Sequence, residues 1–255
     1  MSINTRYRSS ASLFLPSFPP GVKWLVTANV VIYIIQVLFV DASVMGRTLL
    51  DLCNLMPYDV LRGAIWQLVT YMFLHGGVSH ILFNMLALWM FGGSVEETWG
   101  TRRFLQYYFI CGIGAGVCVV IANLLFGNIH QPTIGASGAI YGVLLAFAML
   151  FPEAEILIMF LFPVKAKYAV MIFGAVALFL SFQGGGTVSN FAHLGGLLVG
   201  YAYFKTQFST RRSRLAAAPA FSLGGWWREY KMQRAKRKFQ VYMKKHGSDK
   251  GPWVN

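Results

Sequence analysis

The feature that most constrains this chain is its succession of apolar stretches, several near the ~20 residues a helix needs to cross a bilayer. In order they run Trp24–Val40, His80–Val95, Phe104–Phe126, Ser137–Phe151, Tyr168–Phe182 and Asn190–Phe204. A soluble domain of 255 residues would need a charged surface, and apart from its ends this chain has almost none. The expectation is an all-α, multi-pass membrane protein. Residues 24–205 form a bundle of six transmembrane helices, between a polar tail, 1–23, and a basic, aromatic tail, 206–255. The connection 41–79 carries Asp51, Asp59, Arg62 and the aromatic-rich run Trp66 to Phe73. It is too interrupted to cross and is expected at the membrane interface. A loop follows the fourth stretch, with Glu153, Glu155, Lys165 and Lys167 around the apolar patch Ile156 to Phe162, and Gly184 to Gly186 form a flexible turn.

An even number of crossings puts both ends on one side, and the basic residues say which. Arg6, Arg8, Lys23, Arg102, Arg103, Lys165, Lys167 and the tail share a face, whereas the opposite loops hold only Arg47 and Arg62. Both termini are therefore expected in the cytoplasm. The net charge of +13 sits mostly in the tail, where Trp226, Trp227, Tyr230, Phe239 and Tyr242 alternate with lysines and arginines. Charge alone leaves nucleic acid open as a partner. Tethered just past a span, the segment is instead expected to lie on anionic lipid headgroups, at about 1 kcal/mol per basic residue. No cleavable signal is visible, since the brief Leu/Phe patch after Arg6 and Arg8 is broken by Pro16, Pro19 and Pro20. This favours a bacterial cytoplasmic (inner) membrane, with the two arginines leaving a mitochondrial origin open. Cys53, Cys111 and Cys118 have no metal-ligand spacing and read as free thiols or packing residues.

Polar residues inside apolar spans are the candidates for function, because they are costly there. Their depths follow from a rise of about 1.5 Å per residue. Counted from Glu153, Ser137 sits roughly 24 Å above the inner boundary; counted from Lys205, His193 sits about 18 Å up; counted from Glu96, His80 and Asn84 sit about 24 and 18 Å up. Three helices thus place polar groups in one layer. Each has a plainer reading: a serine among small residues packs helices, a histidine bonds a carbonyl, and His80 with Asn84 forms an i, i+4 pair. Together, though, they supply the parts of an acyl-transfer site. A serine hydroxyl needs a base within hydrogen-bond reach, and the oxyanion that forms needs preorganised donors. All nine acidic residues lie in loops, tails or at span ends, so a Ser-His dyad is expected rather than a triad. Tyr141, one turn after Ser137, is placed to support the imidazole.

Competing chemistries leave other marks. The chain has no His-Glu-x-x-His and no paired intramembrane aspartates. A metal held by His75, His80 and His193 is the remaining alternative, without carboxylate or thiolate nearby; the reading expects neither metal nor cofactor. No inverted repeat or matched pair of broken helices suggests a transporter.

Three motifs make a family likeness specific. They are Gly135-Ala136-Ser137-Gly138 with Tyr141, His75-Gly76-Gly77-Val78-Ser79-His80 with Asn84, and Ala192-His193-Leu194-Gly195-Gly196 with Gly200. In order and spacing over about Trp24 to Phe204 they resemble the rhomboid family of intramembrane serine proteases. The resemblance implies that Ser137 is the nucleophile and His193 the general base, then general acid. It implies an oxyanion hole of His80, Asn84 and the Ser137 backbone amide, with membrane proteins as substrates. Gly196 and Gly200 match the glycines that let the sixth helix approach the fourth, and Gly138 with Gly142 offers the same small-xxx-small spacing. Glu96 resembles a structural glutamate expected to pair with a local arginine. The chain departs from the pattern at Gln67, where many members carry arginine after the tryptophan. A glutamine still bonds backbone but lacks the bidentate charged contacts of a guanidinium. The resemblance also admits a catalytically silent relative that binds membrane helices.

Overall fold

The computed structural model describes residues 17–40, 44–158, 162–182 and 189–216. The aromatic-basic part of the tail and the glycine turn at 184–186 lie outside them. Residues Met1–Thr206 form one compact unit, to which the following refers.

Helix α1, Pro20–Ile35, opens on a proline at its first position, where the missing N–H costs nothing, and widens into a π turn at Gln36–Val40. Its first amides are capped from a distance. The N–H groups of Gly21 and Val22 each donate to the Glu96 carboxylate at 2.8 Å, and the Thr101 hydroxyl donates to it at 2.6 Å. Glu96 is only 2% exposed. A helix N-terminus, with its orphan amides and positive dipole end, satisfies the buried carboxylate.

The connection 41–79 is not an irregular loop. It holds α2, Val44–Cys53, α3, Pro57–Leu61, α4, Gln67–Thr70, and a 3-10 turn, Tyr71–Phe73. Gln67, 1% exposed, fastens it: Oε1 accepts the Met56 N–H at 2.9 Å, and Nε2 reaches the carbonyls of Asp51 and Leu52 at 3.5 Å. The Trp66 indole N–H donates to Leu52 O at 2.9 Å. A neutral amide thus anchors this connection through backbone groups alone. Leu55 and Thr133 exchange both backbone hydrogen bonds at 2.9 Å, tying the connection to the segment ahead of Ser137.

Helices α5, Val78–Trp99, α6, Thr101–Phe126, and α7, Ser137–Leu150, follow, then α8, Ala166–Phe182, and α9, Ser189–Ala216. Three segments among the described residues, Pro20–Leu38, Val78–Trp99 and Thr101–Phe126, are long and apolar enough to cross a membrane; Ser137–Leu150 and Ala166–Phe179 are apolar but shorter. Helix α7, with 14 residues, is about 21 Å long, less than the ~30 Å hydrocarbon thickness. The expected loop after α7 is a β-hairpin instead. Strands β1, Glu155–Ile158, and β2, Phe162–Lys165, pair antiparallel with Ile156 opposite Val164. The chain is mostly helical rather than all-α, and this hairpin is the exception. The core is built on Leu25, Leu55, Tyr71, Leu88, Phe104, Tyr107 and Tyr108, all buried.

Candidate active site

Ser137 is the first residue of α7, so its backbone N–H is one of the four amides at that terminus without an intrahelical acceptor, at the positive end of the helix dipole. The turn leading to it is held by Tyr71, whose carbonyl accepts the Gly135 N–H at 2.9 Å. Gly135 has φ +122°, a conformation L side chains avoid. A Cβ there would also lie 2.8 Å from both Cε1 and Nε2 of His80 and 3.9 Å from Nδ2 of Asn84. The glycine is therefore what admits the His80 ring beside the chain two residues before Ser137.

His193 comes from α9, fifty-six positions along the chain, and its Nε2 stands 2.8 Å from Ser137 Oγ. The Tyr141 ring stacks on the imidazole, with centroids 4.1 Å apart and planes 4° from parallel. This contact is possible because α9 and α7 touch backbone to backbone. A Cβ on Gly196 would fall 1.9 Å from the Gly138 carbonyl oxygen, and one on Gly138 would fall 3.3 Å from the Ala192 carbonyl oxygen. Farther along, a Cβ on Gly200 would meet the Tyr107 hydroxyl at 2.6 Å and Gly142 Cα at 3.3 Å.

The remaining candidates sit on α5 and just before it. His80 accepts the Gly76 N–H on Nδ1 at 3.3 Å. A nitrogen that accepts carries no proton, so the neutral ring keeps its proton on Nε2, the nitrogen beside Gly135. Asn84 Nδ2 is buried and has no hydrogen-bond partner among the described residues, a donor next to Gly135. His75 is fully buried, its ring edge-on to His80 with centroids 5.1 Å apart. No group of three or more His, Cys, Asp or Glu among the described residues is arranged to hold a metal ion. Sequence reasoning missed Tyr71 and Gln36 as supports of this region; Gln36, an uncharged amide inside an apolar span, was the available signal.

A profile of the family described as the Rhomboid domain matches residues 62–210, more than half of the chain. The chain belongs to the rhomboid family. It is similar to Rhomboid protease GluP of Bacillus subtilis, 36% identical over 142 residues, which cover 56% of this chain and 26% of that protein. Rhomboid-like protease 3 of Toxoplasma gondii is 31% identical over 195 residues, 73% of this chain and 68% of that one. Rhomboid protease GlpG of Salmonella paratyphi A is 30% identical over 192 residues, 71% and 61% respectively. The chain thus spans about a quarter of the first relative's length and close to two thirds of the other two. Apolar helices and family together make this rhomboid an integral membrane protein.

Proposed function

We propose that this rhomboid is an intramembrane serine endopeptidase that hydrolyses peptide bonds in or near the transmembrane segments of other membrane proteins. The observation that carries the reading is the 2.8 Å approach of Ser137 Oγ to His193 Nε2. In the proposed reaction Oγ attacks the substrate carbonyl carbon while its proton passes to Nε2. His80 Nε2–H, Asn84 Nδ2–H and the Ser137 N–H receive the oxyanion. Collapse of the tetrahedral species breaks the C–N bond as His193 hands the proton to the leaving amine. Water, deprotonated by His193, then opens the acyl-enzyme. The names of the relatives, rhomboid proteases, agree with this chemistry.

The same reading takes α7, α8 and the first part of α9 as three further crossings beside α1, α5 and α6, with both termini cytoplasmic and the basic tail on anionic lipid. Bacterial and mitochondrial relatives leave the choice of compartment to experiment. Substrate reaches the site laterally, between α5, which exposes Val78, Leu82 and Phe83, and α8, which exposes Met171, Ile172 and Phe179. Residues 183–188, between α8 and α9, lie outside the described residues. A helical peptide bond is shielded and hydrogen-bonded, so helix-breaking or small residues near the cut are favoured. The test is cleavage of a tagged single-span substrate in proteoliposomes, with a fluorophosphonate probe for the serine. The wild-type chain cleaves and is labelled at Ser137, and Ser137→Ala does neither. Undiminished cleavage by Ser137→Ala refutes the reading, and substrate binding without labelling or cleavage marks a silent helix binder.

A further inference from the structure

Gln36 takes no part in the chemistry above, yet the fold satisfies it with unusual specificity. An amide in an apolar helix is costly unless both its halves find partners. Gln36 is 7% exposed and stands where α1 gives way to the π turn. Its Nε2 donates to the carbonyl oxygen of His75 at 2.8 Å, and its Oε1 accepts the N–H of the same residue at 3.3 Å. One side chain thus holds both backbone polar groups of a residue thirty-nine positions away.

What His75 begins, Gly76 continues. The Gly76 N–H is the donor that occupies His80 Nδ1. The segment itself has little else to hold it: Gly76 is exposed, and a Cβ on Gly77 would meet nothing within 4 Å. Two glycines in succession, of which a Cβ on Gly76 would meet only Ile134 Cδ1 at 3.7 Å and His80 Nδ1 at 3.8 Å, leave the peptide after His75 few conformational restraints, and the Gln36 amide is a fixed point just ahead of it.

We propose that Gln36 is a positioning residue for the oxyanion-binding pair: it fixes the backbone of His75, so that the Gly76 N–H holds the His80 ring with Nε2–H turned toward Gly135 and the reacting carbonyl. The proposal rests on the proteolytic reading and acts through His80, not on substrate.

The experiment uses the full chain in proteoliposomes with a tagged single-span substrate, comparing kcat, KM, thermal midpoint and fluorophosphonate labelling. Gln36→Leu lowers kcat about ten- to hundredfold with KM unchanged, the mark of a contact made in the transition state. In a His80→Ala background the same substitution changes kcat by less than about threefold, because two residues acting through one ring are not additive. Gln36→Glu gives a second readout that also serves if the leucine variant fails to fold. The protonated acid keeps one donor and one acceptor, whereas the ionised form has only acceptors facing a carbonyl oxygen. Its kcat therefore falls with rising pH relative to the wild-type profile. A wild-type kcat in Gln36→Leu, an equal proportional loss in both backgrounds, or a Gln36→Glu profile parallel to wild type overturns the proposal while wild-type labelling at Ser137 stands. A wild-type chain that neither cleaves nor is labelled brings down the parent reading and this one with it.

Discussion

Replacing Gly196 by alanine tests the geometry that joins the two halves of the site. The added Cβ would lie 1.9 Å from the Gly138 carbonyl oxygen, and real Cβ contacts do not fall below 3.0 Å, so α9 must withdraw from α7 by 1.1 Å or more. The obstacle is backbone on a packed helix and cannot swing aside as a side chain can. His193 lies three residues earlier, within one turn of the same helix, and moves with it. If the shift is transmitted in full, the 2.8 Å contact between His193 and Ser137 opens to about 3.9 Å, beyond hydrogen-bond range. Overpacking of this kind costs about 1–3 kcal/mol of stability, and a misplacement of about 1 Å at reacting groups costs on the order of a hundredfold in rate. The assay is the initial rate of substrate cleavage in proteoliposomes, with the thermal midpoint measured on the same preparation in detergent. Gly174→Ala is the control: its Cβ meets only Leu197 Cδ1, the end of a flexible side chain, at 3.2 Å, and its rate stays near wild type. A folded Gly196→Ala that cleaves at the wild-type rate would refute the argument that this close approach sets the dyad.

Two further outcomes follow from buried polar groups away from the dyad. Glu96→Ala leaves the amides of Gly21 and Val22 without their acceptor and costs roughly 3 kcal/mol, so the thermal midpoint falls while kcat of the folded fraction is kept; an unchanged midpoint contradicts the capping role. For His75, burial first and the neighbouring His80 second push the pKa from its ordinary 6.5 down to about 4. The unfolded chain then binds a proton that the folded protein resists, and stability is lost as pH falls from about 6.5 toward 4, with no contribution from this group above that window. Thermal midpoints across this range should drop less steeply for His75→Gln than for wild type, and equal slopes would remove His75 as the cause.

The hairpin shows where local pattern stops short. Glu155 to Ile158 is a four-residue apolar-rich run, too brief for periodicity to distinguish strand from loop, and its pairing with Phe162–Lys165 is a matter of register between two such runs. The connection 41–79 hides short helices for a similar reason: pieces of four to ten residues are stabilised by anchors such as Gln67 and Trp66, not by their own propensity. Glu96 was recognisable as structural only through the family resemblance, and its partners, seventy-four and seventy-five residues away, were not.

The sequence by itself determined the helical, membrane-bound character of the chain, because an apolar segment in lipid must satisfy its backbone internally and the helix is the local way to do so. The fixed rise per residue also put a serine, two histidines and an asparagine in one expected layer. Only the tertiary structure decided which faces meet. Helix rotation and crossing depend on steric fit between distant segments, here Gly138 against Gly196, and that fit brings an alcohol and an imidazole fifty-six residues apart to 2.8 Å. The fastening of His75 by Gln36 belongs to the same class: a hydrogen bond between remote positions has no local signature beyond an amide where lipid would favour a hydrocarbon.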